Sequence, residues 1–272
     1  MLLWDFRCRS ITQNNGLAIP HQRRGQQMHQ VRTYRNIIHS HSLLPFRVVV
    51  QETDLLVHAD SKLEIEARDL VLQVRGYLEA FIKRHPAFAT SLTPWDLTEP
   101  APNIVADMVK AGRKARVGPM AAVAGAIAEH VGRGLLKKTD HIIVENGGDI
   151  FLKTDAPVTV GVFAGQSPLS LQLGIRLSAD QKPVAVCTSS GTVGHSLSFG
   201  SADAVCVVSD CCALADAAAT SIANLIKSDA DINTAIKKGK CIDGIRGLTI
   251  IVGDKIGMWG EMEVVPLTGK KG

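Results

Sequence analysis

Apolar and polar positions along this chain follow two rhythms, one of two residues and one of three to four. Residues 46–50 (Phe-Arg-Val-Val-Val) and 55–57 (Leu-Leu-Val) flank Gln51-Glu52-Thr53-Asp54, which predicts a strand, a four-residue turn and a second strand. The spacing then lengthens. Leu63, Ala67, Leu70, Val74, Leu78, Phe81 and Ile82 recur with charges between them, the pattern of an amphipathic helix. Asp60 or Ser61 is placed to cap its start, and Pro86 stops it after His85. Four prolines (Pro86, Pro94, Pro100, Pro102) make 86–102 a linker or surface crossing. A second helix is expected over 103–116, with Ile104, Val105, Met108, Val109 and Ala111 on its apolar side. After Gly118-Pro119 comes 120–131, uncharged until Glu129 and rich in alanine, which predicts a buried helix. Free N–H groups at its start, over 118–121, would suit an anion.

The second half of the chain reads differently. Short apolar runs at 142–144, 150–152, 158–163, 171–177, 184–187 and 204–208 predict strands. A helix over 213–226 and a short one over 232–238 follow. Strands at 248–252, 256–259 and 262–265 then close the sheet. This order lacks the regular alternation of a doubly wound parallel sheet. It predicts an α+β fold with mixed, largely antiparallel sheets.

Composition narrows the function classes. Apolar residues make up 46% and charged residues 21% of 272, ordinary for a globular protein with a large core. Aromatics at 4% are too few for a base-stacking platform. The net charge of +4 comes largely from the first 40 residues, including Arg7, Arg9, Arg23, Arg24, Arg32 and Arg35. Residues 1–30 show little periodicity and are expected to be a disordered basic arm, with 31–272 as one folded domain. Nucleic acid is therefore not an expected partner. No apolar run reaches the roughly 20 residues of a membrane helix. Cys8, Cys187, Cys206, Cys211, Cys212 and Cys241 form no regular framework, and most sit among apolar neighbours, as reduced thiols of a cytoplasmic protein do.

Three polar segments could carry chemistry. The first, Glu145-Asn146-Gly147-Gly148-Asp149, lies between two strands. Its paired glycines suit a hairpin turn, and they also remove the β-carbons that would block a ligand. The second, 188–196, is Thr188-Ser189-Ser190-Gly191-Thr192-Val193-Gly194-His195-Ser196, a polar cradle able to hold phosphate through N–H groups and hydroxyls. His195 in that loop is either a general acid or base or a histidine bonded to backbone. In the third, Asp216 and Thr220 lie four apart on one helical face, two oxygen donors suited to Mg²⁺ or Ca²⁺. An exposed Asp beside a hydroxyl is the alternative there.

Gly125-Ala-Ile-Ala128, Glu145-Asn-Gly-Gly-Asp149, Thr188-Ser-Ser-Gly191 and Ala215-Asp-Ala-Ala-Ala-Thr220, in this order along the chain, resemble motifs of the ApbE superfamily, the FAD:protein FMN transferases. Phe-Arg-Val-Val-Val-Gln-Glu-Thr-Asp54 and Val-Gly-Pro-Met-Ala-Ala-Val-Ala-Gly125 are similar to its short cytosolic branch. The resemblance implies two T-fold-like halves with a flavin-nucleotide site between them. It also implies Mg²⁺ bound by Asp216, Thr220 and the Ala126 carbonyl, with FAD or FMN lined by Asn146, Gly147, Gly148, Asp149, Thr188, Ser189, Ser190 and Gly191. The implied activity moves FMN to a hydroxyl of a target protein. Two departures stand out. Glu129 takes the place of a lysine, and the segment around His195 is shortened. They favour the alternative of a binding or scaffold module that keeps the fold without the transferase reaction. Oligomerisation through sheet edges is open.

Overall fold

The computed structural model describes residues 43–179, 182–191 and 200–267. The basic arm and His195 lie outside the described residues. Eight strands form one sheet in the order β1-β2-β3-β4-β7-β8-β9-β10. They are β1 (Leu44–Val50), β2 (Thr53–Ala59), β3 (Ile142–Asn146), β4 (Asp149–Lys153), β7 (Val184–Ser189), β8 (Ala204–Ser209), β9 (Ile245–Val252) and β10 (Lys255–Gly260). A second sheet holds β5 (Val158–Gly161), β6 (Leu173–Leu177) and β11 (Glu263–Pro266), in the order β11-β6-β5. Every strand pair is antiparallel. The five α-helices of the described residues are α1 (Glu64–Arg84), α2 (Asn103–Ala115), α3 (Val123–Leu135), α4 (Cys212–Ala223) and α5 (Ile232–Lys240).

Period-two alternation sorts the strand residues between two cores. Val57, Val144, Phe151, Ala185, Val207 and Leu248 face the helices. Ile143, Ile150, Leu152, Val186, Cys206 and Ile251 face the small sheet, where they meet Val160, Ile175 and Leu177. The central strands are thus covered on both sides. This accounts for their nearly continuous apolar runs, which in a solvated antiparallel sheet would alternate with polar residues. Burying each of the large side chains here, such as Phe151 or Leu55, contributes about 1.5–3 kcal/mol.

Several elements depart from the expected layout for identifiable reasons. The α3 helix begins only at Val123, because Pro119–Ala122 forms a 3₁₀ turn in which Ala121 N–H donates to the Gly118 carbonyl. Strand β11 does not close the main sheet. It pairs with β6 after Glu261 and Met262 turn back against Arg246 and Gly260. Neither Asp60 nor Ser61 caps α1, whose N-cap is Leu63 and makes no side-chain bond. Asp60 is instead engaged with the segment before β3. Its carboxylate accepts from Thr139 Oγ1 at 2.6 Å and from the amides of Asp140 and His141, both at 3.1 Å, and it meets His141 Nδ1 at 2.9 Å. Four partners from a neighbouring loop outcompete one capping bond.

The β1–β2 turn, the β3–β4 hairpin and the C-terminal end of β7 all lie at one end of the main sheet. Arg75 of α1, only 4% exposed, fixes the first of these. Its guanidinium donates to Thr53 Oγ1 (2.8 Å), Glu52 (2.8 Å) and Gln51 Oε1, and pairs with Glu79 at 3.0 Å. Asp54 stands one residue beyond, in β2, and binds Arg47 through two hydrogen bonds of 2.8 and 2.9 Å on the open face.

Candidate functional site

At this end of the sheet, α3 and α4 cross the hairpin side by side. Gly147 and Gly148 adopt φ of +67° and +106°, the left-handed region that glycine occupies without strain. A β-carbon on Gly147 would meet nothing within 4 Å, so the hairpin tip is open on that side. Its flanks are anchored. Glu145 Oε1 accepts the Gly148 amide at 3.0 Å, and Asn146 Nδ2 donates to the Ala124 carbonyl at 3.0 Å. The second bond ties the hairpin to the first turn of α3.

Asp149 closes the hairpin and points toward the helices, on the same side of β4 as Phe151. It is 7% exposed. Directly opposite in β7 is Cys187, whose thiol lies within hydrogen-bonding reach of the carboxyl, and the Thr188 amide also donates to it. Burial pushes the Asp149 carboxyl well above the usual carboxylate range, and the negative charge of Asp216 adds to the shift. Glu145 acts in the same direction more weakly. Two carboxyl groups held near each other in a low-dielectric cleft cannot both ionise cheaply.

Asp216 comes from the second turn of α4. Its Oδ2 accepts the Gly125 amide at 2.9 Å, an amide near the start of α3. The approach needs glycine. A β-carbon at 125 would stand 2.4 Å from the Cys212 carbonyl oxygen and 2.9 Å from Asp216 Cβ. Ala126 follows in α3, fully buried, and Thr220 lies one turn beyond Asp216, half-buried. On β7, Ser189 is 8% exposed on the helix side, and the Gly191 amide donates to the Ala202 carbonyl at 2.8 Å. The sequence-predicted residues Asn146, Asp149 and Asp216 and the Gly125 amide therefore meet in one place, joined by the Thr188 amide, whereas the Thr188 hydroxyl donates to Cys206 Sγ at 3.2 Å on the small-sheet side.

Sequence reasoning did not single out Cys187, the Gly125 amide or the Ala124 carbonyl as parts of this cluster. Glu129, in the place of a lysine, is engaged within the protein itself. Glu129 Oε2 accepts the Cys212 amide at 2.7 Å, capping α4, while Oε1 binds Arg133 at 2.8–2.9 Å. The position of Gly125 and Glu129, four apart in an alanine-rich helix, was the available signal that both face one neighbour. Outside the cleft, Glu129 and Arg133 join Asn103, Ala106, Asp107 and His130 around a surface groove of about 400 Å³. There His130 Nε2 pairs with Asp107 at 2.8 Å.

Cys187 and Cys212 sit beneath the cleft with their sulfurs 3.5 Å apart. Burial pushes the Cys212 thiol up to about 12 and that of Cys187 higher than usual. These are core thiols rather than nucleophiles.

This three-layer arrangement is an ApbE-like fold. It is similar to the apo flavinyl transferase ApbE of Pseudomonas stutzeri, with a TM-score of 0.53 over 80% of this chain and 94% of that one, at 12% identity. The chain belongs to the family described as AbpE bacteria, whose model matches residues 35–249. It is 42% identical over 231 residues to the UPF0280 protein MJ1526 of Methanocaldococcus jannaschii, covering 83% of this chain and 94% of that one. With a UPF0280 protein of Methanosarcina acetivorans it shares 42% over 216 residues, 78% of this chain and 85% of that one. Among the described residues no helix is long and apolar enough to cross a membrane.

Proposed function

We propose that the cleft between the β3–β4 hairpin, the end of β7 and the α3–α4 pair binds a phosphate-bearing ligand, a flavin or other nucleotide, together with a divalent cation. One observation carries the reading: Asp149 and Asp216 converge as two carboxyl groups beside a hairpin whose tip lacks β-carbons. The burial and repulsion that raise the Asp149 pKa are relieved when a cation sits between the two groups.

The donor chemistry fits a hard cation such as Mg²⁺. Asp216 and Asp149 offer carboxylate oxygens, Thr220 a hydroxyl and Ala126 a backbone carbonyl, all oxygen ligands. Among the described residues no group of three or more His, Cys, Asp and Glu side chains is arranged to hold a metal. The shell would therefore draw on ligand phosphate and water, as Mg²⁺ commonly does. When bound, the cation would neutralise phosphate charge. The chain's own residues orient the ligand: Asn146 and Glu145 hold the hairpin in place, and the end of β7 with Ser189, Ser190 and Gly191 forms the opposite wall, while the Thr188 hydroxyl is turned to Cys206 Sγ (3.2 Å) on the small-sheet side. His195, outside the described residues, is proposed as the general acid or base.

Titration calorimetry with FAD, FMN and ADP, each with Mg²⁺, tests the reading. Heat and a raised melting temperature are expected, and both should vanish in Asp216→Ala with the fold retained. No heat and no melting shift with any of the three would overturn it.

A second reading is a binding module without transfer activity, and the use of Glu129 favours it. Its carboxylate fills the N-terminus of α4, where it occupies an N–H group that could otherwise face a phosphate. Mass spectrometry after incubation with FAD, Mg²⁺ and candidate target proteins separates the two. Flavinylated product supports transfer, and its absence alongside nucleotide binding supports the module.

A further inference from the structure

Helices α3 and α4 cap one another. Glu129 of α3 accepts the Cys212 amide at the start of α4 (2.7 Å), and Asp216 of α4 accepts the Gly125 amide near the start of α3 (2.9 Å). Residues 125 and 129 are one helical turn apart, as are 212 and 216. The two bonds therefore form the rungs of an antiparallel clamp. Each rung joins a carboxylate to a donor of the partner helix, at the helix end whose partial positive charge favours an anion. The helices approach closely between the rungs, where Gly125 leaves no room for a β-carbon against the Cys212 carbonyl.

The two rungs face different environments. Asp216 lies near enough to Asp149 for its charge to act on that carboxyl. Glu129 faces the groove on the other side, where Arg133 holds its second oxygen at 2.8 Å. With its side chain 12% exposed, Glu129 is largely withdrawn from solvent and cannot swing without breaking both bonds. It fixes how far α4 is advanced along α3. That register decides whether the carboxylate four residues on reaches the Gly125 amide.

We propose that Glu129 is a positioning residue for the cleft: by capping α4 from α3, it sets the register that presents Asp216 toward Asp149. This deepens the cation-binding reading and rests on it for the functional consequence, while the register itself is testable without any cation. The acidic side chain at 129 thereby acts on the site through a helix end and does not touch the ligand.

The test uses Glu129→Ala and Glu129→Gln in the full chain, with two readouts. The first is amide hydrogen exchange of Gly125 by NMR without metal. In Glu129→Ala the Gly125 amide should exchange about five- to tenfold faster relative to other α3 amides, the equivalent of one net hydrogen bond. In Glu129→Gln, whose amide oxygen still accepts from Cys212, that ratio should stay near the parent value. A uniform rise across α3 would report general destabilisation. An unchanged Gly125 ratio, or a uniform rise alone, overturns the positioning role. The second readout is Mn²⁺ affinity by calorimetry, expected to fall about tenfold in Glu129→Ala and less than threefold in Glu129→Gln, the spread of one charge-assisted bond. Absence of Mn²⁺ binding in the parent protein would sink the cation reading, with the Gly125 result still deciding the register.

Discussion

Asp149 and Cys187 stand directly opposite each other in the β4–β7 ladder, a carboxyl and a thiol sharing a buried space between the sheet and the helices. Neither is a favourable place for negative charge. The strand pairing holds the carboxyl there regardless, because its neighbours Ile150 and Phe151 are committed to the two cores.

Asp149→Asn should therefore stabilise the cation-free protein. The folded-state pKa of Asp149 lies above its unfolded value of 3.8, so the folded chain holds a proton that the unfolded chain releases. Its contribution is most favourable below that value and declines as pH rises. The variant should gain about 1–2 kcal/mol at neutral pH, roughly 2–6 °C in melting temperature, with no gain near pH 4. It should also lose cation affinity. Thermal melts across pH without metal check the first part, and a destabilised variant at pH 7 would contradict it.

Gly125→Ala brings a β-carbon to 2.4 Å from the Cys212 carbonyl. Backbone on both sides cannot yield without parting α3 from α4. The expected cost is about 2–4 kcal/mol, well above the ~1 kcal/mol that alanine gains over glycine in a helix. Urea unfolding measures it, and a stabilised variant would show that the helices part easily.

The Asp60–His141 pair gives a pH signature remote from the cleft. Hydrogen bonds from Thr139 and His141 outweigh desolvation and hold the Asp60 carboxyl at about 2, against 3.8. Its stabilisation is complete above that ordinary value and is lost as pH falls toward 2. His141 is raised by the bond to Asp60, so its share is complete below 6.5 and is lost as pH rises through the folded value. Solvent reaches this pair, so the total is of order 1 kcal/mol. Asp60→Asn should narrow its stability deficit as pH drops below 4, and NMR titration should show the His141 pKa falling. An unmoved His141 would contradict the pairing.

Thiol reactivity should follow burial. Cys241 is exposed, whereas Cys187, Cys206 and Cys212 are buried. Burial pushes Cys206 and Cys211 to about 11 and Cys212 to about 12. Among the cysteines of the described residues, iodoacetamide at pH 8 should modify Cys241 first and Cys211 slowly, with Cys187, Cys206 and Cys212 protected until unfolding. Peptide mass mapping reads the order directly, and early labelling of Cys212 would mean that α4 opens readily.

Local rhythm made much of this fold legible. The three- and four-residue spacing of α1, the apolar runs of β3, β4, β7 and β8, and the hairpin between 145 and 149 are properties of adjacent residues. Asp216 and Thr220 were also readable, because a helix fixes which residues share a face. What stayed hidden depends on chain segments far apart. Asp60 looked like a cap until a loop 79 to 81 residues on supplied it with better donors. The role of Glu129 was hidden because its partner, the Cys212 amide, lies 83 residues away. The strand pairing of β11 was hidden for the same reason.

The pairing of β2 with β3 carries a consequence for how the protein acquires its site. Between those strands run three helices, so the ladder closes only after a long stretch of chain has collapsed. Such non-local pairing slows folding, because the entropy of loop closure is lost before contacts repay it. The β1–β2 and β3–β4 hairpins can form early and alone, but Asp216 arrives with α4, after β8. During synthesis, then, the cleft is among the last features to assemble, and a nascent chain presents its hairpins well before Asp149 and Asp216 come together.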